Sequence, residues 1–252
     1  MAWQTPKTDW SAQDGVRDTD LNRIEDNLLY LYNTDGVRAD KTVYVATTGN
    51  DNTGTGSASA PYATINKALN SISKTTNGRA VAVNIAAGTY AENILIKGYS
   101  GPIILTGSYN AVAIVSSFKV DGCICILDTL AITVAGKTIE VTNGATLVGT
   151  GRLNASGAAT NVSVTNGSRV SLSALNSASA SGYALSVDGA SQAHFGTMQG
   201  NENSVGILVQ GGSVVSYRTN NLDAIDTDIV SYSGGRVYSG SSSSVLAMSS
   251  VE

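Results

Sequence analysis

Residues 139–170 read "IEVTNGATLVGTGRLNASGAATNVSVTNGSRV", and one short motif occurs in them twice. The first copy, "IEVTNG", begins at Ile139, and the second, "VSVTNG", begins 23 residues later at Val162. In each copy apolar and polar residues alternate, which predicts a strand with one buried face. The Asn-Gly that follows predicts a tight turn, because both residues tolerate positive φ. The stretch therefore predicts short strands separated by tight turns.

The same motif continues toward the C-terminus. Further copies are "LSVDGA" from Leu185, "ILVQGG" from Ile207 and "VSYSGG" from Val230, at spacings of 23, 22 and 23 residues. A second apolar column follows the turns in step with the first: Leu147, Val170, Ala193, Val215 and Tyr238. Looser copies precede the motif, with apolar pairs at Phe118 and Val120 and at Ile94 and Ile96. Two columns in step predict a repeat architecture.

The length of the unit selects among repeat folds. A propeller blade needs about 40 residues, and a leucine-rich repeat shows a fixed Leu/Asn signature that this chain lacks. We therefore predict an all-β fold, a right-handed parallel β-helix with 22–23-residue coils. Stacked coils lie about 4.8 Å apart, so equivalent residues should form ladders. Asn143 and Asn166 are expected to stack in this way and to share side-chain hydrogen bonds.

A short helix is predicted before the first coil, in "ATINKALNSI" from Ala63. Four apolar residues fall on one helical face: Ile65, Ala68, Leu69 and Ile72. Thr64 is the expected N-cap. Because a solenoid has an open apolar core at each end, we expect this capping helix to cover the N-terminal end. The alternative is a surface helix packed sideways on the coils.

The first 36 residues differ from the rest in their density of charge, with 10 of the 34 Asp, Glu, Lys and Arg residues of the chain. An a/d seam predicts an oligomerising helix, and its residues are Leu21, Ile24, Leu28 and Leu31. Because two heptads are marginal alone, the helix needs sister chains or the body of the protein. Trp3 and Trp10 are expected to anchor the chain to another protein, unless they fold back on their own helix.

These features divide the chain into four parts. Residues 1–17 are predicted to be an extended attachment segment, and 18–36 the oligomerising helix. Residues 37–79 hold a first strand and the capping helix. The parallel β-helix is predicted over 80–252.

Composition excludes several classes of function. Charged residues make up 13% of the chain and the net charge is −4, with no basic patch, so nucleic acid is not an expected partner. No apolar run approaches the roughly 18 residues of a membrane span, which predicts no membrane insertion. No signal peptide is recognisable, so we expect synthesis in a cytoplasm and export, if any, without a signal.

Residues with reactive side chains are few. Cys123 and Cys125 lie two apart in a predicted strand and are expected to be buried free thiols. His194, the only histidine, occupies an ordinary strand position. No metal site or cofactor is predicted, since a metal would need further ligands.

The carboxylates do not suggest catalysis. Glycoside hydrolysis needs two carboxyl groups about 5–5.5 Å or 6.5–9.5 Å apart, whereas Asp121 and Asp188 are predicted to lie three coils apart. Each precedes a glycine, which turn chemistry explains. The local cluster Asp223, Asp226 and Asp228 is predicted to be a solvated loop, with a catalytic or calcium-binding loop as the alternative. We therefore predict that the protein is not an enzyme.

Two stretches resemble known families. "WQTPKTDW" and "DLNRIEDNLLYL" resemble the N-terminal segment of tail and baseplate proteins of phages and phage-like particles of Gram-positive bacteria. "YVATTGNDNTGTGSASAPYATINKAL" resembles the start of the pectin-lyase-like β-helix of phage tailspikes. The resemblance implies a virion component, made in the host bacterial cytoplasm. It also implies a homotrimer whose N-terminus binds other tail or baseplate proteins.

The sequence is compatible with three functions. The expected one is a non-enzymatic spike, fibre or baseplate appendage used in host adsorption, with Tyr183 as the best exposed aromatic for contact with a host surface glycan. The second is a polysaccharide-degrading tailspike, a glycoside hydrolase or lyase, whose site is assembled between chains. The third is a purely structural collar or baseplate part.

Overall fold

The computed structural model describes Thr5, residues 19–20, 22–24, Asn27 and 41–239, with side chains throughout except at 108–112, 114, 201–202, 204, 218–228 and 239. The elements in chain order are β1 Lys41–Val45, α1 Ile65–Asn70, β2 Val81–Ile85, β3 Gly88–Lys97, β4 Ile103–Asp121, β5 Ile124–Ala135, β6 Ile139–Thr142, β7 Thr146–Val148, β8 Arg152–Ser156, β9 Thr160–Val164, β10 Arg169–Ala178, β11 Tyr183–Val187, β12 Gln192–Val209, β13 Val214–Ser231 and β14 Arg236–Ser239. Together they form an all-β parallel β-solenoid of about six turns, called coils below, with little helix.

Strands of successive coils pair in parallel and build three faces. Face A consists of β1, β2, β7, β14 and the beginnings of β4, β5, β10, β12 and β13. Face B consists of β8, the start of β3, the middle of β4 and the next segments of β5, β10, β12 and β13. Face C consists of β6, β9, β11 and the ends of β3, β4, β12 and β13. The longest strands thus bend around corners and contribute to all three faces.

The core is a set of apolar ladders inside these faces. One ladder runs along face A from β2 to β14: Val81, Ile103, Cys125, Leu147, Val170, Ala193, Val215 and Val237. None of these residues is more than 2% exposed. Face C contributes a second ladder: Ile139, Val162, Leu185 and Ile207, all with 0% exposure. The predicted alternation and stacking are confirmed over these residues.

The last coil departs from the predicted register by one residue. Ile207 pairs with Ile229 and not with Val230, and Ile229 packs against the core. Val215 likewise pairs with the fully buried Val237 and not with Tyr238, which is partly exposed. The prediction that Val230 and Tyr238 face inward is therefore wrong.

The turn that precedes Tyr238 explains this one-residue shift from the predicted register. The repeat motif places the Gly-Gly of "VSYSGG" in line with that of "ILVQGG", whose glycines Gly211 and Gly212 have φ of 62° and 72°. In the last coil the two left-handed positions are instead Ser233 and Gly234, with φ of 48° and 81°. A serine thus occupies a position for which glycine was expected, and the pattern shifts by one residue.

The spacing between paired residues also varies along the solenoid. Ile96 pairs with Val120, which is 24 positions further on. Val120 pairs with Val141, only 21 positions further on. The 22–23-residue repeat therefore describes the coils with the regular motif and not every coil.

Helix α1 packs against β1, β2 and β3 of the first coil. Its apolar residues are buried in the common core, as the pattern predicts: Ile65, Ala68, Leu69 and Ile72. Thr64 is the N-cap, and its hydroxyl accepts a hydrogen bond from the backbone N–H of Lys67 at 3.1 Å. The helix thus covers apolar surface at the first coil, as expected of a cap.

Side chains from neighbouring segments fasten this cap. The Glu92 carboxylate accepts the backbone N–H groups of Ile65 and Asn66 at 2.9 and 2.8 Å. At the other end of α1, the Tyr99 hydroxyl donates to the Leu69 carbonyl oxygen at 2.8 Å. Burial raises the pKa of Tyr99 to about 12, so the hydroxyl keeps the proton that it donates.

Candidate functional site

The outer side of face B carries a ladder of polar side chains. Thr133, Asn154, Asn176 and Gln199 lie side by side on β5, β8, β10 and β12. Asn154 Nδ2 donates to Thr133 Oγ1 at 3.0 Å, and Asn176 Nδ2 donates to Asn154 Oδ1 at 2.7 Å. These hydrogen bonds hold the amides in a fixed orientation. We call these four residues the amide ladder.

A groove of about 310 Å³ runs along the amide ladder. Small residues line it beside the ladder: Ser156, Ala178 and Gly200. Gly200 has φ of 155°, and a Cβ there would overlap the Ser177 carbonyl oxygen, so no other residue fits without a shift of the backbone. Each amide nitrogen carries two hydrogens, and the ladder uses one from each of its two asparagines. The groove can therefore offer hydrogen bonds to a hydroxyl-rich ligand.

A second groove, of about 290 Å³, lies on the outer side of face A. Its side chains come from two neighbouring columns: Arg169, Gln192 and Val214, and Ser171, His194 and Ser216. His194 Nδ1 and Ser216 Oγ are 2.9 Å apart and hydrogen-bonded. We call this site the arginine groove.

The His194–Ser216 pair does not form a nucleophilic centre with the groove residues. An activated serine needs a base that a third group orients, and the described residues that line the arginine groove include no Asp or Glu. The pair lies on the open side of a strand, and His194 is exposed. Its geometry is that of two polar side chains in one ladder, available for hydrogen bonding to a ligand.

The two turn aspartates have structural roles. Asp121 accepts hydrogen bonds from Asn143 Nδ2 and Lys97 Nζ, each at 2.9 Å. These two interactions, the first being the larger, hold the pKa of Asp121 below its usual range. Asp188 accepts from the Gly189 N–H at 2.6 Å and from Gln210 Nε2 at 2.9 Å. Asp121, whose ionised form is stabilised in this way, is a poor general acid.

The other carboxylates described after residue 98 are also engaged. Glu140 Oε2 lies 2.6 Å from Lys119 Nζ, and Asp128 Oδ1 accepts from Thr150 Oγ1 at 2.7 Å. In the predicted cluster of Asp223, Asp226 and Asp228, the backbone belongs to β13, which corrects the prediction of a loop between coils. Their side chains lie outside the described set. Among the described residues, no group of three or more His, Cys, Asp and Glu side chains is placed to hold a metal ion.

Both cysteines are buried free thiols, as predicted. Cys123 Sγ donates to the Ile96 carbonyl oxygen at 3.1 Å. Burial raises the pKa of both thiols. Neither thiol is therefore activated as a nucleophile.

The predicted N-terminal sites fall largely outside the described residues. These are Trp3 and Trp10 of the attachment segment and Leu21, Leu28 and Leu31 of the oligomerising helix. Ile24 is described: it is helical, and its side chain is 54% exposed. An exposed apolar residue is compatible with the predicted seam, which itself stays a prediction.

The exposure of the tyrosine side chains agrees only in part with the predicted alternation. Tyr183 is half-buried on β11 of face C, and Tyr217 is buried beside Phe195. Tyr232, the second apolar residue of the motif "VSYSGG", is 37% exposed. Tyr238 is partly exposed and lies next to Ser216 at the end of the arginine groove. Tyr183 is therefore not the only accessible aromatic of the coils.

Neither groove was predicted from the sequence, although the spacing of their outward residues indicates them. Ser171, His194 and Ser216 each follow a residue of the second apolar column directly. Asn154 and Asn176 are 22 residues apart. Reading the outward columns with the same period as the inward ones would have found both.

No protein-family model, curated protein or solved structure matches the chain. Within residues 41–239 and the few described N-terminal positions, no helix is long and apolar enough to span a bilayer. The fold thus defines the class of this protein, a parallel β-solenoid, and the outer grooves are its candidate binding sites.

Proposed function

We propose that the protein is a virion component of a phage or phage-like tail. It serves as a spike, fibre or baseplate appendage in host adsorption. In this proposal the solenoid is a right-handed, pectin-lyase-like β-helix, as the resemblance of the first third of the chain implies. The observation that carries the proposal is the continuous parallel solenoid with hydrogen-bonded polar ladders on its outer faces. A rod of this kind can present many equivalent polar groups to a cell surface.

The amide ladder supports contact with a glycan. Asn154 and Asn176 are held by hydrogen bonds within the ladder, so little side-chain entropy is lost on binding. Gln199 at the end of the ladder is exposed. Amides and hydroxyls in a groove match the hydroxyl groups of a saccharide. We place the main glycan contact here, with Tyr183 on face C as a separate, secondary contact.

The engagement of the carboxylates favours binding over cleavage. Each described carboxylate beyond residue 98 accepts a hydrogen bond from a neighbouring side chain. The alternative of a polysaccharide-degrading tailspike requires a pair assembled between chains. Incubation with host cell-wall and capsular polysaccharide, followed by assay for new reducing ends or unsaturated products, separates the two. Turnover that disappears on changing Asp223, Asp226 or Asp228 to Asn would establish the enzyme.

The proposal includes a homotrimer attached through its N-terminus. Helices with the seam Leu21, Ile24, Leu28 and Leu31 would associate, and Trp3 and Trp10 would dock on other tail or baseplate proteins. Light scattering of the full chain measures the first point, and a monomer at micromolar concentration contradicts it. Deleting residues 1–17 tests the second, since the shortened protein should no longer enter particles.

The location of the protein tests the proposal as a whole. Particles purified from a producing culture would be labelled with gold-conjugated antibody raised against the chain. Label at the tail or baseplate supports the proposal, and particles that carry no label overturn it. Label with the C-terminal end outward favours a receptor-binding spike over a structural collar.

A further inference from the structure

The outer side of face A changes character along the solenoid axis. On β4, β5 and β7 its central column consists of the aliphatic residues Ile104, Ile126 and Val148. From β10 onward the same column is polar: Ser171, His194, Ser216 and Tyr238. The neighbouring column changes with it and contains Arg169, Gln192, Val214 and Arg236. The arginine groove therefore lies where one continuous sheet turns from aliphatic to polar and cationic.

Arg169 lines the groove, and Arg236 follows Val214 in the same column, one strand beyond the lining residues. These two arginines differ from other cations of the coils. Lys97 and Lys119 are neutralised by ion pairs with Asp121 and Glu140. Arg169 and Arg236 are exposed, and their side chains form no ion pair or hydrogen bond with any described residue. No described Asp or Glu lines the groove. Two guanidinium groups that lack a carboxylate partner among the described residues therefore share one column.

The spacing of the groove residues follows from the strand pairing. Arg169 pairs with Gln192, Gln192 with Val214, and Val214 with Arg236, so the two arginines are three strands apart. At the usual spacing of parallel strands their Cα atoms are separated by about 14 Å. A single small anion cannot contact both, whereas a linear polymer lying along the axis can.

Between the arginines the groove offers neutral hydrogen-bonding groups. His194 Nδ1 is already hydrogen-bonded to Ser216 Oγ at 2.9 Å, which fixes the ring and leaves Nε2 for a ligand. The exposed amide of Gln192 lies in the adjacent column. These groups can donate to and accept from hydroxyls. The ligand that fits is therefore one whose anionic groups alternate with hydroxyl-bearing units.

We infer that the arginine groove binds a linear, hydroxyl-rich polyanion. Carboxylate or phosphate groups of the polymer are held at Arg169 and Arg236, because a guanidinium binds both in bidentate fashion. Hydroxyls of the intervening units are held at Gln192, His194 and Ser216. The site is separate from the amide ladder on face B and does not depend on where the protein is located.

A nucleic acid fits the groove less well than a polyanionic glycan or polyol phosphate. Binding of single-stranded nucleic acid relies on stacking of successive bases on aromatic side chains. The two columns from β10 onward hold two rings, His194 and Tyr238, and Ser216 separates them. The hydrogen-bonding groups and the lack of adjacent rings in these columns favour hydroxylated units without bases.

The test measures binding of the purified full chain to defined polymers at low and moderate salt. The probes are polygalacturonate as the carboxylate polymer, poly(glycerol phosphate) as the phosphate polymer, neutral dextran and single-stranded RNA. We expect the protein to bind one or both of the first two and not dextran, with affinity that falls as salt rises. Preference for RNA over both polymers, or no binding to either polymer, overturns the inference.

Alanine substitutions test which residues bind the polymer. Arg169→Ala with Arg236→Ala should weaken polymer binding by about tenfold or more, because the charge-assisted hydrogen bonds of both guanidinium groups are lost. Arg79→Ala is the matched control, because Arg79 is exposed and precedes β2, outside the groove. It should change the affinity less than twofold. Equal weakening by both variants would show general charge attraction and would overturn the assignment of the site.

One further variant tests the neutral contacts. His194→Ala should reduce affinity for the hydroxylated polymers more than affinity for polyphosphate, which carries no hydroxyls between its charges. Equal reduction for both overturns the role of the His194–Ser216 pair. Circular dichroism melting of each variant confirms that the exposed substitutions leave the solenoid folded.

Discussion

Asn166 donates a hydrogen bond from Nδ2 to Oδ1 of Asn143 on the preceding coil, with 3.1 Å between the two atoms. Asn143 in turn donates to Asp121, which also binds Lys97. A polar chain thus crosses four successive coils at the turn that follows face C. Both asparagines have left-handed backbones, with φ of 59° for Asn143 and 57° for Asn166. Asparagine at these two positions therefore tolerates the left-handed backbone and also supplies the side-chain hydrogen bonds between coils.

Two substitutions at Asn166 separate these contributions. Asn166→Gly keeps the left-handed backbone and removes the hydrogen bonds, so it should cost about 0.5–1.5 kcal/mol of unfolding free energy. Asn166→Ala removes the same hydrogen bonds but keeps a Cβ in the left-handed region, without the amide that lets asparagine tolerate it, and should cost about 1–2 kcal/mol more than the glycine variant. Urea unfolding of the two variants measures the difference. Equal stabilities would mean that backbone strain does not matter at this turn.

A matched pair on β11 tests the register of face C. Leu185 has 0% exposure and Ser186 beside it is partly exposed. Leu185→Asp buries a charge without a partner and should cost several kcal/mol. Ser186→Asp should be nearly neutral. The melting temperatures check this, and similar values for both variants would contradict the inward position of Leu185.

A second pair concerns a ladder of buried serines. Ser191 Oγ accepts the Ser168 N–H at 3.1 Å, whereas Ser168 Oγ is buried and has no hydrogen-bond partner among the described residues. Ala145 directly follows the preceding turn, and its N–H bonds the Thr142 carbonyl oxygen at 3.2 Å. Ser168 Oγ therefore receives no N–H from that coil.

Alanine should consequently have opposite effects at the two serines. Ser191→Ala leaves a buried N–H unsatisfied and should cost about 1–3 kcal/mol. Ser168→Ala removes a hydroxyl that bonds nothing and should be neutral or stabilising. Chemical unfolding of both variants tests this, and a loss at Ser168 equal to that at Ser191 would reveal a partner for its hydroxyl.

The stability of the capped end should depend on pH through Asp51. Its carboxylate accepts the backbone N–H groups of Ala63 and Thr64 at 2.8 and 3.1 Å and the Thr64 hydroxyl at 2.6 Å. Burial opposes ionisation, but these hydrogen bonds and the Lys67 charge outweigh it and lower the pKa of Asp51. The stabilisation is therefore complete above the unfolded-state pKa of about 3.9 and is lost as pH falls through the folded-state pKa.

Asp51→Asn removes this dependence. The wild-type protein should melt at a higher temperature than the variant at neutral pH, and the gap should narrow below about pH 4. Melting curves recorded across this range check the prediction. A gap that stays constant into strong acid would show that Asp51 stabilises the cap by shape alone.

The inward side of the solenoid was largely predictable and the outward side was not. The core ladders and α1 follow from alternation and helical spacing, which short-range sequence patterns report directly. The failure at Val230 and Tyr238 came from aligning glycines, although a serine adopts the left-handed turn at Ser233. The amide ladder and the arginine groove depend on pairs such as His194 and Ser216, which are distant in sequence and lie on adjacent strands only once the register is known.

Because equivalent residues stack from coil to coil, a whole coil is a unit that evolution can copy or delete. Duplication of residues 139–161, for example, would place a second Ile139 in the ladder that Ile139 and Val162 already share. The new coil would find its apolar contacts and its Asn-Gly turn in place. Each such gene duplication would lengthen the molecule by about 4.8 Å and would carry the groove residues that follow it further along the axis.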